Sequence, residues 1–307
     1  MTWEFERVAG PYEGPTGGVA WDGESILFSV VLPSHIESRI LRHDPRSGSV
    51  SEFRKYSGRT IGLASSADGH LYGCQNASRR VVEFHADGST TLLADRFDGR
   101  FHNQPKDLVV DGRGRIWFTD PYGELPPVGP QVQGPLDHAS VLVLARYPNR
   151  LWCIRRVTYD TAAPSAVQIS PDQRTLYVAE NSLEPSGTRE LRAYPIRDDG
   201  TLGQHTVLHT FGRDYRGVQR GIEGMCLDSE GNIVACAGWR QSGPGPMVYV
   251  FTPTGQIIEG HPVPSDRPTS CAFGDADLGA LYVTTGEGDL YRVRDTGRRG
   301  LAARNED

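Results

Sequence analysis

Six copies of one short pattern constrain the fold of this 307-residue chain more than any other feature. In each copy an acidic turn, usually containing glycine, precedes an apolar stretch typical of a β-strand. The intervals between the starts of successive stretches are 45, 45, 60, 57 and 48 residues. A unit of this length that recurs six times indicates a repeat architecture. The six stretches begin at Ile26, Leu71, Ile116, Leu176, Ile233 and Leu281.

Each repeat is long enough for four strands. A further turn follows the apolar strand in segments such as VVEFHADGST (81–90) and VYVFTPTGQ (248–256), so we expect a central hairpin in a four-stranded sheet. Radial packing of such sheets buries both faces of each one, and no segment of helical periodicity competes. The sequence therefore predicts an all-β, six-bladed β-propeller with four antiparallel strands per blade. Residues 1–295 form this single domain, and residues 296–307 form a polar C-terminal tail.

The two longest intervals predict insertions, at 121–137 (PYGELPPVGPQVQGPLD) and 182–190 (SLEPSGTRE). Proline and glycine in both segments indicate loops. Loops at one end of a propeller usually frame its central site, so we expect both to lie near the site.

Charge and composition limit the partners. The net charge is −6, and no run of Lys or Arg is longer than two residues, which argues against a nucleic-acid partner. No window approaches the roughly 18 apolar residues of a spanning helix, and the N-terminus lacks a basic segment followed by an apolar run. The five cysteines are odd in number and widely spaced, which favours buried free thiols over disulfides or a zinc site. We expect a cytoplasmic protein with a small-molecule partner and no membrane or nucleic-acid partner; the oligomeric state stays open.

Motifs along nearly the whole chain resemble one known family. They include EGP at 13–15, GRTIGLASSADGHLYGCQNASRRVVEF at 58–84, NQPKDLVVDGRGRIWFTDPYG at 103–123, SPDQRTLYVAEN at 170–181, IEGMCLDSEGNIVACAG at 222–238 and PTSCAFGDADLGALYVT at 268–284. In this order they resemble the senescence-marker-protein/gluconolactonase/luciferin-regenerating-enzyme family. The resemblance implies a funnel with one divalent cation, usually calcium, at the propeller axis. It also implies hydrolysis of sugar lactones or, in related phosphofluoridases, of organophosphates.

The positions that hold the ion in that family are altered here. The family uses a Glu in an EGP-like motif, an Asn in P-N-D, an Asn in P-N-G and an Asp in P-D-G-M. Glu13 stands in EGP, but Lys106 and Ser165 replace the two Asn residues, Glu223 replaces the Asp, and Ser270 replaces an Asn of a P-T-N-C motif. An ammonium cannot ligate a cation and would repel one at close range. We therefore expect no cofactor, with Glu13 and Glu223 as ligands if Ca²⁺ or another divalent cation is bound.

Three interpretations of Lys106 follow. It forms an ion-pair plug that neutralises Glu13 and Glu223 in a retired site. Alternatively, it supplies the positive charge for a metal-free enzyme in which Glu13 or Glu223 moves a proton. The third interpretation, a Schiff-base amine, needs a neutral lysine, whereas two carboxylates favour the charged form.

Further candidates surround Lys106. Asp107 either orients Lys106 or holds the central loop through backbone amides. Ser165 is either a nucleophile beside Lys106 or a small residue that leaves space where an Asn reached the ion. The substrate-binding candidates at the mouth are Ser165, His102, Gln104, Tyr122, His138, Trp239, Arg240 and Ser270.

These residues predict a gluconolactonase-like hydrolase of a small oxygen-rich substrate, a lactone or ester, with catalytic residues Lys106, Glu13, Glu223 and Asp107. One alternative is a metal-independent lyase, isomerase or cyclase that uses Lys106 with Glu13 or Glu223 for proton transfer. A second alternative is a ligand-binding or scaffolding propeller without turnover. An accessible, unpaired carboxylate favours an enzyme, whereas a closed ion-pair plug with no cavity favours the scaffold.

Overall fold

Six four-stranded antiparallel sheets form the blades of a propeller in a computed structural model. The structure describes residues 2–34, 36–123, 134, 136–146 and 151–302. Within these ranges it contains 28 strands and no helix, so no helix there is long and apolar enough to cross a membrane. The predicted fold class is confirmed.

The chain begins with β1, which joins the last blade. Blades 1 to 3 follow, each listed from its innermost strand outward, with a small hairpin of two strands between blades 2 and 3. These strands are β1 (Glu6–Ala9), β2 (Thr16–Trp21), β3 (Ile26–Val30), β4 (Arg39–His43), β5 (Val50–Arg54), β6 (Thr60–Ser65), β7 (Leu71–Gln75), β8 (Arg80–Phe84), β9 (Thr90–Ala94), the hairpin β10 (Arg96–Phe97) and β11 (Arg100–Phe101), β12 (Leu108–Val110), β13 (Ile116–Asp120), β14 (Ser140–Arg146) and β15 (Trp152–Arg156).

Blades 4 to 6 continue the pattern, with a second small hairpin between blades 4 and 5. Their strands are β16 (Pro164–Ile169), β17 (Thr175–Asn181), β18 (Arg189–Pro195), β19 (Thr206–Thr210), the hairpin β20 (Arg213–Asp214) and β21 (Gly217–Val218), β22 (Ile222–Leu227), β23 (Ile233–Trp239), β24 (Ser242–Phe251), β25 (Ile257–Pro262), β26 (Pro268–Gly274), β27 (Ala280–Thr285) and β28 (Leu290–Val293).

The first and last strands of the chain close the ring of blades. β1 pairs antiparallel with β28, so the strand order of blade 6 is β1-β28-β27-β26. Pairing of the first strand with the last covers an edge that would otherwise expose unpaired backbone groups.

Hydrophobic packing follows the blade boundaries. Six clusters of buried apolar side chains occur, and each combines residues of two neighbouring blades. Trp117, Tyr177 and Tyr282 lie in three of these clusters. Burial of both faces of each blade therefore supplies the core, because the removal of apolar surface from water is the main stabilising term.

The innermost strands bring one residue of each blade to the propeller axis. In every blade this residue lies four positions before the one paired with the first residue of the apolar stretch, which is Ile26, Leu71, Ile116, Leu176, Ile233 or Leu281 in turn. Consecutive innermost strands contact one another around the ring. We call this set the axial ring; it consists of Gly17, Ile61, Lys106, Ser165, Glu223 and Thr269.

Loops and the C-terminal segment complete the fold. The insertion predicted at 182–190 contains a loop between β17 and β18, where the amide of Ser182 donates to the carbonyl of Thr188 at 2.9 Å. Part of the predicted tail returns to the propeller, since Arg298 forms an ion pair of 2.6 Å with Asp228. Residues 124–133, 135 and 303–307 lie outside the described residues, and with them most of the insertion predicted at 121–137 and the end of the predicted tail.

The cysteines are free thiols, as predicted, but the predicted burial holds for Cys74, Cys236 and Cys271, whereas Cys153 and Cys226 are half-buried. Cys226 and Cys271 come closest, with their sulfurs 3.6 Å apart on the innermost strands of blades 5 and 6.

Candidate functional site

A cavity of about 320 Å³ opens over the axial ring, and all six ring residues line it. Such a volume lies near the lower end of the range of roughly 300–1,000 Å³ for small-molecule sites. The ring has an unequal charge distribution, because only Lys106 and Glu223 among its six residues are charged. The chemistry at the axis therefore depends on these two side chains and on what surrounds them.

Lys106 and Glu223 form an ion pair across the innermost strand of blade 4. The ammonium Nζ lies 2.7 Å from Oε2 of the carboxylate. The Lys106 side chain is 26% exposed and that of Glu223 is 8% exposed, so the ammonium is the more accessible partner. The sequence placed both residues at the axis, and the structure brings them into contact.

Two further side chains hold the other oxygen of Glu223. Arg220 contacts Oε1 at 2.7 Å, and the amide nitrogen of Asn181 donates a hydrogen bond to the same atom. Burial opposes ionisation of this carboxyl, but Arg220 and Lys106 outweigh that effect and hold its pKa below the ordinary value of 4.5. Glu223 is thus an ionised carboxylate that orients two cations.

Backbone geometry fixes the position of Lys106. Its amide donates to the carbonyl of Thr119 at 3.0 Å. On the other side, Gly62 permits close approach of blade 2, because a Cβ at Gly62 would lie 2.4 Å from the Lys106 carbonyl oxygen. Since no real Cβ contact is this short, blade 2 can meet blade 3 here only with glycine.

The carboxylate of Asp107 accepts a hydrogen bond from backbone. Its Oδ2 accepts a hydrogen bond from the amide of Val167 in blade 4 at 3.0 Å. Burial raises the pKa of this carboxyl to about 7, against the opposing effect of backbone hydrogen bonds. Of the two roles predicted for Asp107, this contact matches the one in which it holds the central loop through an amide.

Ser165 lies in the axial ring with its hydroxyl turned to the backbone. Oγ donates to the carbonyl of Ile222 at 2.6 Å and lies 3.2 Å from the carbonyl of Ala179. The side chain is buried. This arrangement suits a small residue that leaves space above the ring.

Glu13 does not converge with Glu223 on the axis, which corrects the sequence-based expectation. Its side chain is 51% exposed and pairs with Arg39 at 2.8 Å. The register of blade 1 explains the difference: Gly17, four residues later, occupies the ring position that Glu13 was expected to fill. The EGP triplet thus belongs to the loop before β2, and the only acidic side chain in the axial ring is Glu223.

These residues do not fit the calcium site that the family resemblance implies. A hard cation requires several oxygen ligands, usually carboxylates and carbonyls. Lys106 and Ser165 stand at two of the four expected ligand positions, Glu13 pairs with Arg39 outside the ring, and the remaining carboxylate, Glu223, is bonded to two cations. Within the ranges that the structure describes, no group of three His, Cys, Asp or Glu side chains is arranged to hold a metal ion.

Four of the predicted mouth residues line the cavity: Gln104, Tyr122, Ser165 and Ser270. Gln104 directly precedes the Pro105-Lys106-Asp107 motif. Its backbone N–H donates to the carbonyl of Pro121 at 3.1 Å. Tyr122 is about half exposed and donates its hydroxyl to the carbonyl of Leu136 at 3.0 Å. These contacts hold the rim on the side of blade 3.

The two predicted histidines lie away from the cavity lining. His102 is fully buried, with its ring edge-on to Phe118 at 5.3 Å. His138 is half-buried, with Nδ1 2.8 Å from the hydroxyl of Ser140. Both support the structure below the rim rather than face a substrate.

Trp239 and Arg240 also lie behind the cavity wall. Trp239 donates its indole N–H to Ser242 at 2.7 Å and faces the guanidinium of Arg220 at 5.5 Å. Arg240 is already paired with Glu287 at 2.5 Å, so it does not point into the cavity as expected. Trp239 therefore acts on the site only through Arg220.

Several polar residues that line the cavity were not singled out from the sequence, among them Arg59, Asn181, Arg220 and Arg267. Arg59 and Arg267 directly precede β6 and β26, at the position that Gln104 holds in blade 3. Alignment of the six repeats on their strand registers would have found both arginines. No comparable repeat signal marks Asn181 or Arg220.

The fold and the axial ring define a class of protein, and a comparison with known families gives it a name. The family described as SMP-30/Gluconolactonase/LRE-like region matches residues 16–287, so the chain belongs to this family. The expected family membership is confirmed.

Individual relatives are similar at moderate identity. The gluconolactonase of Zymomonas mobilis subsp. mobilis is 25% identical over 299 residues, which cover 90% of this chain and 77% of that protein. A 6-deoxy-6-sulfogluconolactonase of Pseudomonas putida is 26% identical over 271 residues, covering 81% of this chain and 76% of that protein. A solved gluconolactonase from Xanthomonas campestris matches with a TM-score of 0.75 at 28% identity, over 95% of this chain and 89% of that one.

Proposed function

We propose that this protein is a metal-independent lactonase that hydrolyses a small oxygen-rich lactone in the cavity over the axial ring. The observation that carries the proposal is the ion pair of Lys106 and Glu223, which lies where the family resemblance implies a metal site. Two named relatives, from Zymomonas mobilis and Pseudomonas putida, are lactonases, which supports a lactone as the substrate.

Lys106 and Arg220 supply the positive charge of the proposed site. Both contact Glu223 and line the cavity, so their cationic groups face the space where a carbonyl oxygen would lie. Charge develops on that oxygen when a nucleophile adds to the carbonyl carbon, and a preorganised cation stabilises it. In this role the two side chains replace the charge of the metal cation that the family resemblance implies.

Glu223 is the general base, which accepts a proton from the attacking water. When the substrate carbonyl oxygen accepts a hydrogen bond from the Lys106 ammonium, Oε2 of Glu223 loses its contact with that ammonium. Oε2 then removes a proton from a water molecule as that water adds to the carbonyl carbon. The C=O electron pair moves to the oxygen that faces Lys106. Collapse of this intermediate breaks the bond to the ring oxygen, which receives the proton from Glu223 and leaves as a hydroxyl. The product is the open-chain hydroxy acid.

The plug interpretation of Lys106 accounts for the ion pair but not for the cavity above it. A retired site would close over its paired charges, whereas here about a quarter of the Lys106 side chain is exposed to a cavity. An open cavity over a paired charge therefore supports turnover.

The test is the hydrolysis of D-glucono-1,5-lactone by purified protein, followed by pH-stat after dialysis against EDTA and again with added calcium. We expect the same rate in both conditions and little bound metal by elemental analysis. A rate that depends on calcium would show the metal-free mechanism to be wrong.

Labelled water separates hydrolysis from the lyase or isomerase alternative. In H₂¹⁸O a hydrolase places one ¹⁸O atom in the carboxylate of the product, which mass spectrometry detects. A product without the label, formed at an enzymatic rate, would instead indicate proton transfer at a carbonyl compound.

A further inference from the structure

The charge of the cavity differs from that of the whole chain. The chain has a net charge of −6, yet its cavity lining includes four cationic side chains, those of Arg59, Lys106, Arg220 and Arg267. Among the described residues, two carboxylates accompany them: Glu223, already bonded to Lys106 and Arg220, and Asp107, bonded to a backbone amide. The excess of positive charge in a concave site favours an anionic ligand.

Arg59 and Arg267 hold equivalent places on either side of blade 1. Each directly precedes the innermost strand of its blade, and the two blades, 2 and 6, flank blade 1. Both arginines have a positive φ, of 57° and 54°, a conformation uncommon for residues other than glycine.

Between these arginines the axial ring has no side chain. Gly17 occupies the ring position of blade 1, and a Cβ there would meet only the carbonyl oxygen of Ile61, at 3.5 Å. This is an ordinary contact distance, so packing does not require glycine at Gly17. The glycine leaves space on the side of the cavity that faces Arg59 and Arg267.

The two charged regions lie on opposite sides of the ring. Lys106 and Glu223 come from blades 3 and 5, which flank blade 4, whereas Arg59 and Arg267 flank blade 1. In a ring of six blades, blade 1 is opposite blade 4. A ligand whose reacting carbonyl lies at Lys106 would therefore extend its far end toward the two arginines.

We propose that the lactone bound here carries a carboxylate at the end remote from the reacting carbonyl, as in a monolactone of a sugar diacid; this inference rests on the proposed function. Planar guanidinium groups bind carboxylates through paired hydrogen bonds. Arg267 is exposed, and its guanidinium donates to the carbonyl of Gly286 at 3.2 Å, which aligns it along the rim. Arg59 is buried in the wall, where the lower dielectric strengthens attraction to an anion.

The test compares D-glucaro-1,4-lactone with D-glucono-1,4-lactone, which differ only in a carboxylate in place of a hydroxymethyl group. At low salt we expect kcat/KM for the acidic lactone to exceed that for the neutral lactone by about tenfold or more. This ratio should decrease as added salt screens the charges. Arg267→Gln should raise KM for the acidic lactone about tenfold with kcat little changed, since it removes one charged contact to the carboxylate. Arg267→Lys should restore part of the loss.

Arg294→Gln is the matched control, because Arg294 is exposed and pairs with Glu6 outside the cavity. It should leave both lactones unaffected. Equal kcat/KM values for the two lactones, or an Arg267→Gln effect of the same size on both, would overturn the inference while the proposed lactonase function stood.

Binding of the ring-opened acids separates this inference from the proposed function. If neither lactone is hydrolysed above the uncatalysed rate, the lactonase proposal is wrong, and calorimetry with D-glucarate and D-gluconate then decides the charge preference. Tighter binding of the dicarboxylate, lost in Arg267→Gln, supports recognition of a remote carboxylate. Equal affinity for the two acids contradicts it.

Discussion

Lys106 and Glu223 meet across blade 4 with 2.7 Å between the ammonium nitrogen and Oε2. The pair joins blades 3 and 5 at the axis, and it leaves the ammonium more exposed than the carboxylate. This arrangement gives each residue a distinct expected role.

Lys106→Met tests the cation. We expect kcat to fall by about 10²–10³-fold with a smaller change in KM, as when one donor to a developing oxyanion is removed. The chain has one other lysine, Lys55, which is exposed, so Lys55→Met is the matched control. Steady-state kinetics of the three proteins measure the effect. Full activity in Lys106→Met would remove Lys106 from the mechanism.

Ser165→Ala tests the nucleophile interpretation. The Ser165 hydroxyl donates to the carbonyl of Ile222, so we expect kcat to change by less than about tenfold and unfolding free energy to fall by about 1 kcal/mol. A nucleophilic serine would instead lose nearly all activity on substitution. Kinetics and urea unfolding of the same preparation distinguish the two outcomes.

Asp107→Asn tests the buried carboxyl. Because burial raises its pKa to about 7, from 3.8, the folded protein keeps the proton that the unfolded chain releases between these values. Asp107 therefore stabilises the fold fully below pH 3.8, and this contribution is lost as the pH rises through 7. The slope approaches about 1.4 kcal/mol per pH unit in that interval.

Urea unfolding of the wild type and Asp107→Asn from pH 4 to 8 measures this contribution. The asparagine can still accept the hydrogen bond from the Val167 amide, so the variant should gain stability relative to the wild type as the pH rises. Parallel pH profiles would mean that Asp107 titrates in the folded protein as it does in the unfolded chain.

Gly62→Ala tests the contact that positions Lys106. A Cβ at Gly62 would lie 2.4 Å from the Lys106 carbonyl, so we expect a loss of about 1–3 kcal/mol of unfolding free energy together with reduced kcat. Gly212→Ala is the control, since a Cβ there meets nothing within 4 Å. Thermal unfolding and kinetics of both variants check the prediction. Unchanged stability of Gly62→Ala would show that the blades adjust to the methyl group.

The repeats in the sequence predicted the blades because the period of turn and strand is set by local chemistry. Acidic and glycine-containing turns before Ile26 or Leu71 specify hairpins, and apolar strands must be buried on both faces. The family motifs placed Lys106 and Glu223 at the axis, and the strand registers agree, since each lies ten residues before the second strand of its blade, which starts at Ile116 or Ile233. Local pattern and global register agree at these two positions.

Glu13 shows where local pattern is insufficient. The EGP triplet matches a motif, but only the pairing of Trp21 with Ile26 determines which residue of blade 1 reaches the axis, and that residue is Gly17. Arg220 and Asn181 were missed for a related reason. Their contacts with Glu223 depend on how separate loops converge, which no spacing in the sequence reports.

The pairing of β1 with β28 also sets an order of events during synthesis. β1 is synthesised nearly a whole propeller before its partner strand, so the last blade has only this one of its four strands for most of translation. A nascent chain can form the first hairpins early, but the ring of blades stays open until β28 emerges. The ring of blades around the cavity over Lys106 and Glu223 can therefore close only after β28 has been made.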